Sequence, residues 1–250
     1  MFFAKPGQYP PCEMFTKGHF ILFAITIIAI IIALKKTIHN ANIKKIIKRC
    51  TIFVCIFELV IMSFKISVSG TKNINTYVPL YYCSILIYAG LCSSLGKGRI
   101  ERIGNVFLAT GGIIGGVIFL MFPTTTLPTY PANHFVSIYS FVFHGIMIYL
   151  GLLINITEYI KLEKKDIVNY IILVGSVCII AHIINIIYGS NLMFITSGFP
   201  GKLGSTLYKY TGVFFAPLML AVQCTGPFYV IFGIRTKNKK KYWQQAIYAI

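Results

Sequence analysis

The chain has 250 residues, 56% of them hydrophobic and 12% charged, with a mean hydropathy of +0.76. A soluble domain of this size cannot hide that much apolar surface, so the composition excludes a soluble enzyme and points to a polytopic membrane protein. The formal charge of +17, from 23 Lys and Arg against 6 Asp and Glu, is then read by where the charges fall and not as the footprint of nucleic acid.

The head carries Pro6, Pro10 and Pro11 and lacks the charged start and small-residue cleavage site of a secretory signal, so no cleaved segment is expected. A membrane-crossing helix needs about 20 mostly apolar residues. Seven stretches qualify, at roughly 18–34, 50–69, 77–95, 103–122, 137–159, 167–188 and 211–234. The expected fold is all-α, a single seven-helix domain over 1–250.

The connections set the orientation. Lys35, Lys36, Lys44, Lys45, Lys48 and Arg49 fill the first loop. Lys97, Arg99 and Arg102 fall in the third, and Lys161, Lys164 and Lys165 in the fifth. The C-terminal tail adds Arg235, Lys237, Lys239, Lys240 and Lys241. The head and the even loops hold only Lys5, Lys17, Lys72, Lys202 and Lys209. Basic loops stay in the cytoplasm, so the N-terminus is expected outside and the C-terminus inside, in the plasma membrane.

Within the fourth stretch, "GGIIGG" pairs Gly111 with Gly115 and Gly112 with Gly116, a spacing that lets helices approach closely. Pro217 and Pro227 are expected to kink the seventh. The triplet "NIT" at Asn155 lies at the inner end of the fifth and is dismissed as a glycosylation site. The sixth loop, 189–210, is too apolar for a plain linker and is expected to fold over the outer mouth of the bundle.

Ionisable and polar groups inside a membrane are costly and mark functional sites by default. Glu58 and Lys65 lie seven residues apart on one helical face, as a buried pair or as a proton or headgroup site. Cys83 falls in the third stretch, His144 in the fifth, His182 and Asn185 in the sixth, and Gln223 in the seventh. At 1.5 Å of rise per residue, Cys83, His144 and His182 all lie roughly 9–10 Å below the outer face. A thiol becomes a nucleophile when an imidazole within about 3 Å takes its proton. The seven cysteines contain no CxxC pair, so neither a disulfide framework nor a zinc ribbon is expected.

Three local patterns resemble the YwaF-like family of bacterial integral membrane proteins, related to the vertebrate transmembrane protein 164 acyltransferases. "VPLYYCS" at 78–84 is similar to the family's Leu-Pro-Leu-x-x-Cys-Ser. "HG" at His144–Gly145 and "NIIYGSNLMFI" at 185–195 follow in order. The chain departs from the pattern at Val78 and Leu192, and "TGVFFAPL" opens the last stretch in place of a Gly-Pro-Trp-Pro-Tyr-like start. The resemblance implies acyl transfer between membrane phospholipids and lysophospholipids, with Cys83 as nucleophile. His144 is then the expected base. Ser84, Asn185 and Asn191 are candidate oxyanion donors, His182 is a supporting residue, and Glu58, Lys65 and Gln223 are polar or headgroup-binding candidates. This reading calls for no metal, no cofactor and no nucleic acid. Its rivals are a carrier or ligand-sensing protein, a bis-histidine haem protein built on His144 and His182, and a structural protein without chemistry.

Overall fold

Backbone in lipid must satisfy its own hydrogen bonds, which long apolar runs do as helices. The computed structural model describes residues 1–39, 42–71, 74–198 and 202–237; its regular structure is all helical, with no strand among these residues. Among them, six segments are long and apolar enough to cross a membrane. The first two are α1 (Lys17–Thr37) and α2 (Ile43–Ser69). After α3 (Ile85–Leu95), the third is Arg99–Met121, in which α4 (Arg99–Phe107) runs through a π turn at Leu108–Gly112 into α5 (Ile113–Met121). The fourth is α6 (Phe135–Ile156), and the fifth, Lys164–Tyr188, contains α7 (Ile167–Tyr188). In the sixth, Gly204–Lys237, α8 (Lys202–Thr211) joins α9 (Phe215–Lys237) through a 3-10 turn.

The stretch 77–95 is therefore not one helix. Only α3 is α-helical, 11 residues and about 16 Å long, against a hydrocarbon core of about 30 Å. Pro79 has no N–H and disfavours helical backbone at Val78, so residues 77–84 run as an irregular segment ending in a turn. Hydropathy alone does not register this break. At the other end of the chain, Pro217 sits in the first turn of α9, where a missing N–H costs nothing, and Pro227 lies inside the helix.

The Arg99–Met121 segment and α6 form the buried centre, while α1, α2 and α9 present the apolar outer faces that a bilayer covers. The four glycines divide between two faces. A methyl at Gly116 would meet His144 O at 2.8 Å and Ile148, both on α6. A methyl at Gly111 would meet Tyr82 Oη at 2.6 Å and Tyr170 Oη at 2.8 Å. The small-residue pattern thus seats α6 on one side and the approach to α3 on the other.

The lysine-rich end is clamped by ion pairs. Arg102 Nε donates to Asp166 Oδ1 at 2.6 Å, and its Nη2 donates to Asp166 Oδ2 at 2.7 Å and to Lys161 O at 3.0 Å. Asp166 is fully buried and also accepts from Glu163 N and Asn169 Nδ2. Lys44 pairs with Glu101 at 2.7 Å, and Tyr159 Oη donates to the same carboxylate at 3.2 Å. The opposite end is closed by the head. Phe135 N donates to Phe2 O, Cys12 N to Tyr130 O and Glu13 N to Leu127 O. The buried His134 caps α6, with Nδ1 accepting from Val136 N at 3.1 Å and Nε2–H donating to Ala4 O at 3.0 Å.

Two predictions follow from the two ends. Arg102→Ala leaves the buried Asp166 carboxylate unpaired and lowers stability by about 3 kcal/mol, whereas Arg102→Met with Asp166→Leu recovers most of the loss; thermal unfolding in detergent measures both. At the other end, burial holds the His134 imidazole below its ordinary pKa, opposed by its bond to Ala4 O. Its neutral form stabilises the folded head fully above about pH 6.5, and this stabilisation is lost as pH falls through the lowered pKa. The protection of residues 2–5 against hydrogen exchange, taken relative to the unstructured rate at each pH, therefore falls on acidification, and His134→Gln removes that pH dependence of protection.

Candidate functional site

Cys83 lies where the irregular segment turns into α3. Ser84 N donates to Tyr81 O, Ile85 N to Tyr82 O, Leu86 N to Cys83 O and Ile87 N to Ser84 O, so the cysteine sits in the turn that leads into α3, two residues before its first. Among the described residues, the N–H groups of Tyr81, Tyr82 and Cys83 have no acceptor. Unpaired N–H groups at a helix start attract negative charge. A thiolate or an oxyanion beside them is stabilised for the same reason.

The turn is held on all sides. Tyr88 Oη donates to Pro79 O at 3.0 Å and Tyr81 Oη to Asn75 O at 3.0 Å. Tyr82 reaches across to Tyr170 of α7, with 2.6 Å between the hydroxyls, and Tyr170 Oη donates to Gln223 O in α9 at 3.3 Å. The tyrosine pair packs over the π turn at Leu108–Gly112, whose glycines leave room for it. Single π turns inside α-helices recur at functional sites.

His144 is buried against the neighbouring wall. Its ring stacks on Phe119 with centroids 3.6 Å apart. Its Nδ1 lies 2.6 Å from Ser140 O, a carbonyl that only accepts, so the proton is on Nδ1. That leaves a lone pair on Nε2, which is buried and has no hydrogen-bond partner. No hydrogen bond joins Cys83 to His144, and the chain neighbours of the two approach each other at Gly115. A methyl at Gly115 would touch Tyr82 Cε1 at 3.0 Å and Met147 Cε at 3.1 Å. Tyr82 is the chain neighbour of Cys83, and Met147 lies one turn beyond His144.

The sixth loop folds back on this region, with Leu192, Met193 and Ile195 buried. Asn185 organises it. Its Nδ2 donates to Leu192 O at 3.0 Å and Thr196 Oγ1 at 2.9 Å, and its Oδ1 accepts from Ser190 Oγ at 2.7 Å and Leu192 N at 2.8 Å. Asn191 works the same way. Its Nδ2 donates to Ser197 O and Gly198 O, its Oδ1 accepts from Thr196 N and Ser197 N, and its N–H donates to Asn75 Oδ1. Gln223 Nε2 donates to Met193 O at 2.9 Å, while its Oε1 is buried without a partner. The ring of Phe194 lies 5.1 Å from that of Tyr81, so the loop roofs the segment leading to Cys83. A cleft of about 430 Å³ opens beside it, with Lys209 on its wall among Thr196, Tyr208 and Phe215.

Several expected residues take other places. His182 is exposed on α7 while Asn185, three residues on, is buried, so the two do not share a face. His182 and His144 do not face one cavity, which removes the bis-histidine arrangement. Asn185 and Asn191 hold the loop with the N–H groups assigned to an oxyanion. Glu58 and Lys65 form no ion pair within 4.0 Å among the described residues; Glu58 Oε2 instead accepts from Tyr139 Oη at 3.3 Å. Ser84 is half-buried beside Cys83 and makes no side-chain cap bond. Asn155 is buried, its Nδ2 donating to Ala109 O and Gly151 O at 2.7 Å each, and ties α6 to the π turn. Sequence reading passed over the Tyr82–Tyr170 pair, whose only signal is a run of tyrosines beside Cys83.

No curated protein and no solved structure matches the chain. Among family models, that of the TMEM164 family matches residues 14–232, a range that contains Cys83, His144 and the folded-back loop. The chain is thus a multi-pass membrane protein with a half-length third helix, and it belongs to the TMEM164 family.

Proposed function

We propose that the protein is a membrane acyltransferase that moves a fatty acyl chain from a phospholipid to a lysophospholipid through Cys83. The observation that carries this reading is a cysteine in the turn that leads directly into a helix starting inside an apolar bundle, beside backbone N–H groups with no acceptor among the described residues. Irregular backbone at membrane depth is tolerated where it lines a site, and this segment holds the one thiol matched to the family pattern. The unpartnered Nε2 of His144 supplies a base already in the correct tautomer.

In the first half-reaction, His144 Nε2 takes the proton of Cys83 Sγ. The thiolate attacks the ester carbonyl of a phospholipid and a C–S bond forms. The N–H groups of Tyr82 and Cys83 stabilise the oxyanion, the role that sequence reading assigns to Ser84, Asn185 and Asn191. The C–O bond breaks, the leaving oxygen takes the proton from His144, and a lysophospholipid departs. In the second half, the hydroxyl of another lysophospholipid gives its proton to Nε2 and attacks the thioester carbonyl. The C–S bond breaks and the thiolate recovers the proton. The proton transfer requires Nε2 within about 3 Å of Sγ, a contact that in this reading forms when substrate binds.

Residues 77–95 together make the remaining crossing, which gives seven, with the N-terminus outside and the tail inside, in the plasma membrane. The cleft beside the folded-back loop lies within the usual volume of ligand sites and serves as the lipid's way in, with Lys209 meeting the phosphate.

The test is transfer of a labelled acyl chain from phospholipid to lysophospholipid in vesicles containing the pure protein. Cys83→Ala is expected to abolish transfer, and His144→Gln to lower it by about 10²–10⁴-fold. Undiminished transfer in folded Cys83→Ala protein would remove the proposal.

A further inference from the structure

On the lipid-facing side of α2 and α3, away from Cys83, a cleft of about 240 Å³ opens towards the lysine-rich end. Its floor is set by close packing. Gly90 of α3 lies against Thr51 of α2, and a methyl there would collide with the Thr51 hydroxyl. On the lipid-facing side of that contact the helices part. Ile52 and Ile56 form one wall and Leu91 and Leu95 the other, all four with exposed surface. The Thr51 hydroxyl is turned back onto Ile47 O at 2.8 Å, so the lining offers hydrocarbon.

The mouth has a different character. Lys48 lines the cleft, and Lys45 lies three residues before it on the same face of α2. Arg49 and Lys97, the latter just past the end of α3, stand beside them. None of these four side chains has an ion-pair or hydrogen-bond partner among the described residues. The nearby carboxylate, Glu101, is held by Lys44 and Tyr159. Lys44 also donates to Gly96 O at 3.2 Å, fixing the end of α3 against the start of α2. The result is a slot of acyl-chain character under a cluster of unneutralised cations.

We infer that this cleft binds one anionic phospholipid, with an acyl chain between Ile52, Ile56, Leu91 and Leu95 and the headgroup phosphate on Lys48 and Lys45. Basic pockets between helices at a membrane surface recognise anionic headgroups in this way. The ligand is a bound structural lipid and not the acyl donor, because the cleft is lined by Leu91, Ser94 and Leu95 near the end of α3, whereas Cys83 lies ahead of its start. The inference stands without the reading of Cys83 as a nucleophile.

Native mass spectrometry of the full chain in detergent tests it, with phosphatidylglycerol and phosphatidylcholine of identical acyl chains as probes. One phosphatidylglycerol is expected to be retained at least tenfold more than phosphatidylcholine. Lys48→Glu removes the preference. Ile52→Trp fills the slot and lowers retention with every charge in place, while Lys36→Glu, the same charge change at the same end on α1, leaves it intact. Thermal unfolding in the same detergent confirms that each variant is folded. Equal retention of the two lipids overturns the inference, as does equal loss in Lys36→Glu, which would reduce it to general surface charge. A lipid-free dimer that Ile52→Trp dissociates also overturns it and gives the cleft to a second copy of the chain.

Discussion

A helix that begins inside a bilayer leaves N–H groups where no water can meet them, and the architecture is organised around that constraint. Pro79 keeps residues 77–95 from forming one helix, and α3 starts six residues later with Ile85 and Leu86 buried. The loop of α7 folds over the segment that leads in. The Tyr82–Tyr170 pair and the π turn pack against its side, and the glycines at 111 and 115 admit them. Each of these features is odd alone. Together they enclose one short piece of irregular backbone, with Cys83 in its final turn.

Two rigid ends make that enclosure possible. At the lysine-rich end, the Arg102–Asp166 fork and the Lys44–Glu101 pair tie α4 to α7 and α2. At the other, the head is stitched to the segment before α6 through Tyr130, His134 and Phe135. The wall bearing His144 is therefore fixed at both ends while the folded-back loop rests on polar side chains, Asn185, Asn191 and Gln223. Hydrogen bonds to three amides reorganise more readily than a packed apolar interface, so opening is expected at the loop and not in the bundle. A lone pair on a buried imidazole nitrogen is costly to keep without a partner, and the proposed role of His144 as a base would use it.

Composition, the basic loops and the apolar runs made the helical membrane fold legible, because lipid leaves few solutions for an apolar backbone. The paired glycines were legible too, since their spacing is itself the packing rule. Cys83 and His144 were singled out because polar groups are scarce in apolar runs. What escaped was whatever depended on backbone direction. Hydropathy over 77–95 is that of a full span, and only Pro79 hints that half of it is not helix. Depth estimates built on helical rise fail for Cys83 for that reason. Spacing placed His182 with Asn185, yet rotation of α7 turns one outward and the other onto the loop. It likewise paired Glu58 with Lys65, whereas Tyr139 from α6 reaches the carboxylate first. The asparagines of the loop were visible as polar residues, but whether they hold substrate or backbone depends on bonds that only the folded loop creates.

The central claim is that Cys83 carries the acyl chain. Its most direct test is intact-mass analysis of protein incubated with phospholipid alone and quenched with acid. The claim predicts an added mass of one acyl group, localised to the peptide containing Cys83 and released by neutral hydroxylamine, which cleaves thioesters. An adduct that persists in Cys83→Ala protein, or acyl transfer at full rate with no adduct formed, would contradict it.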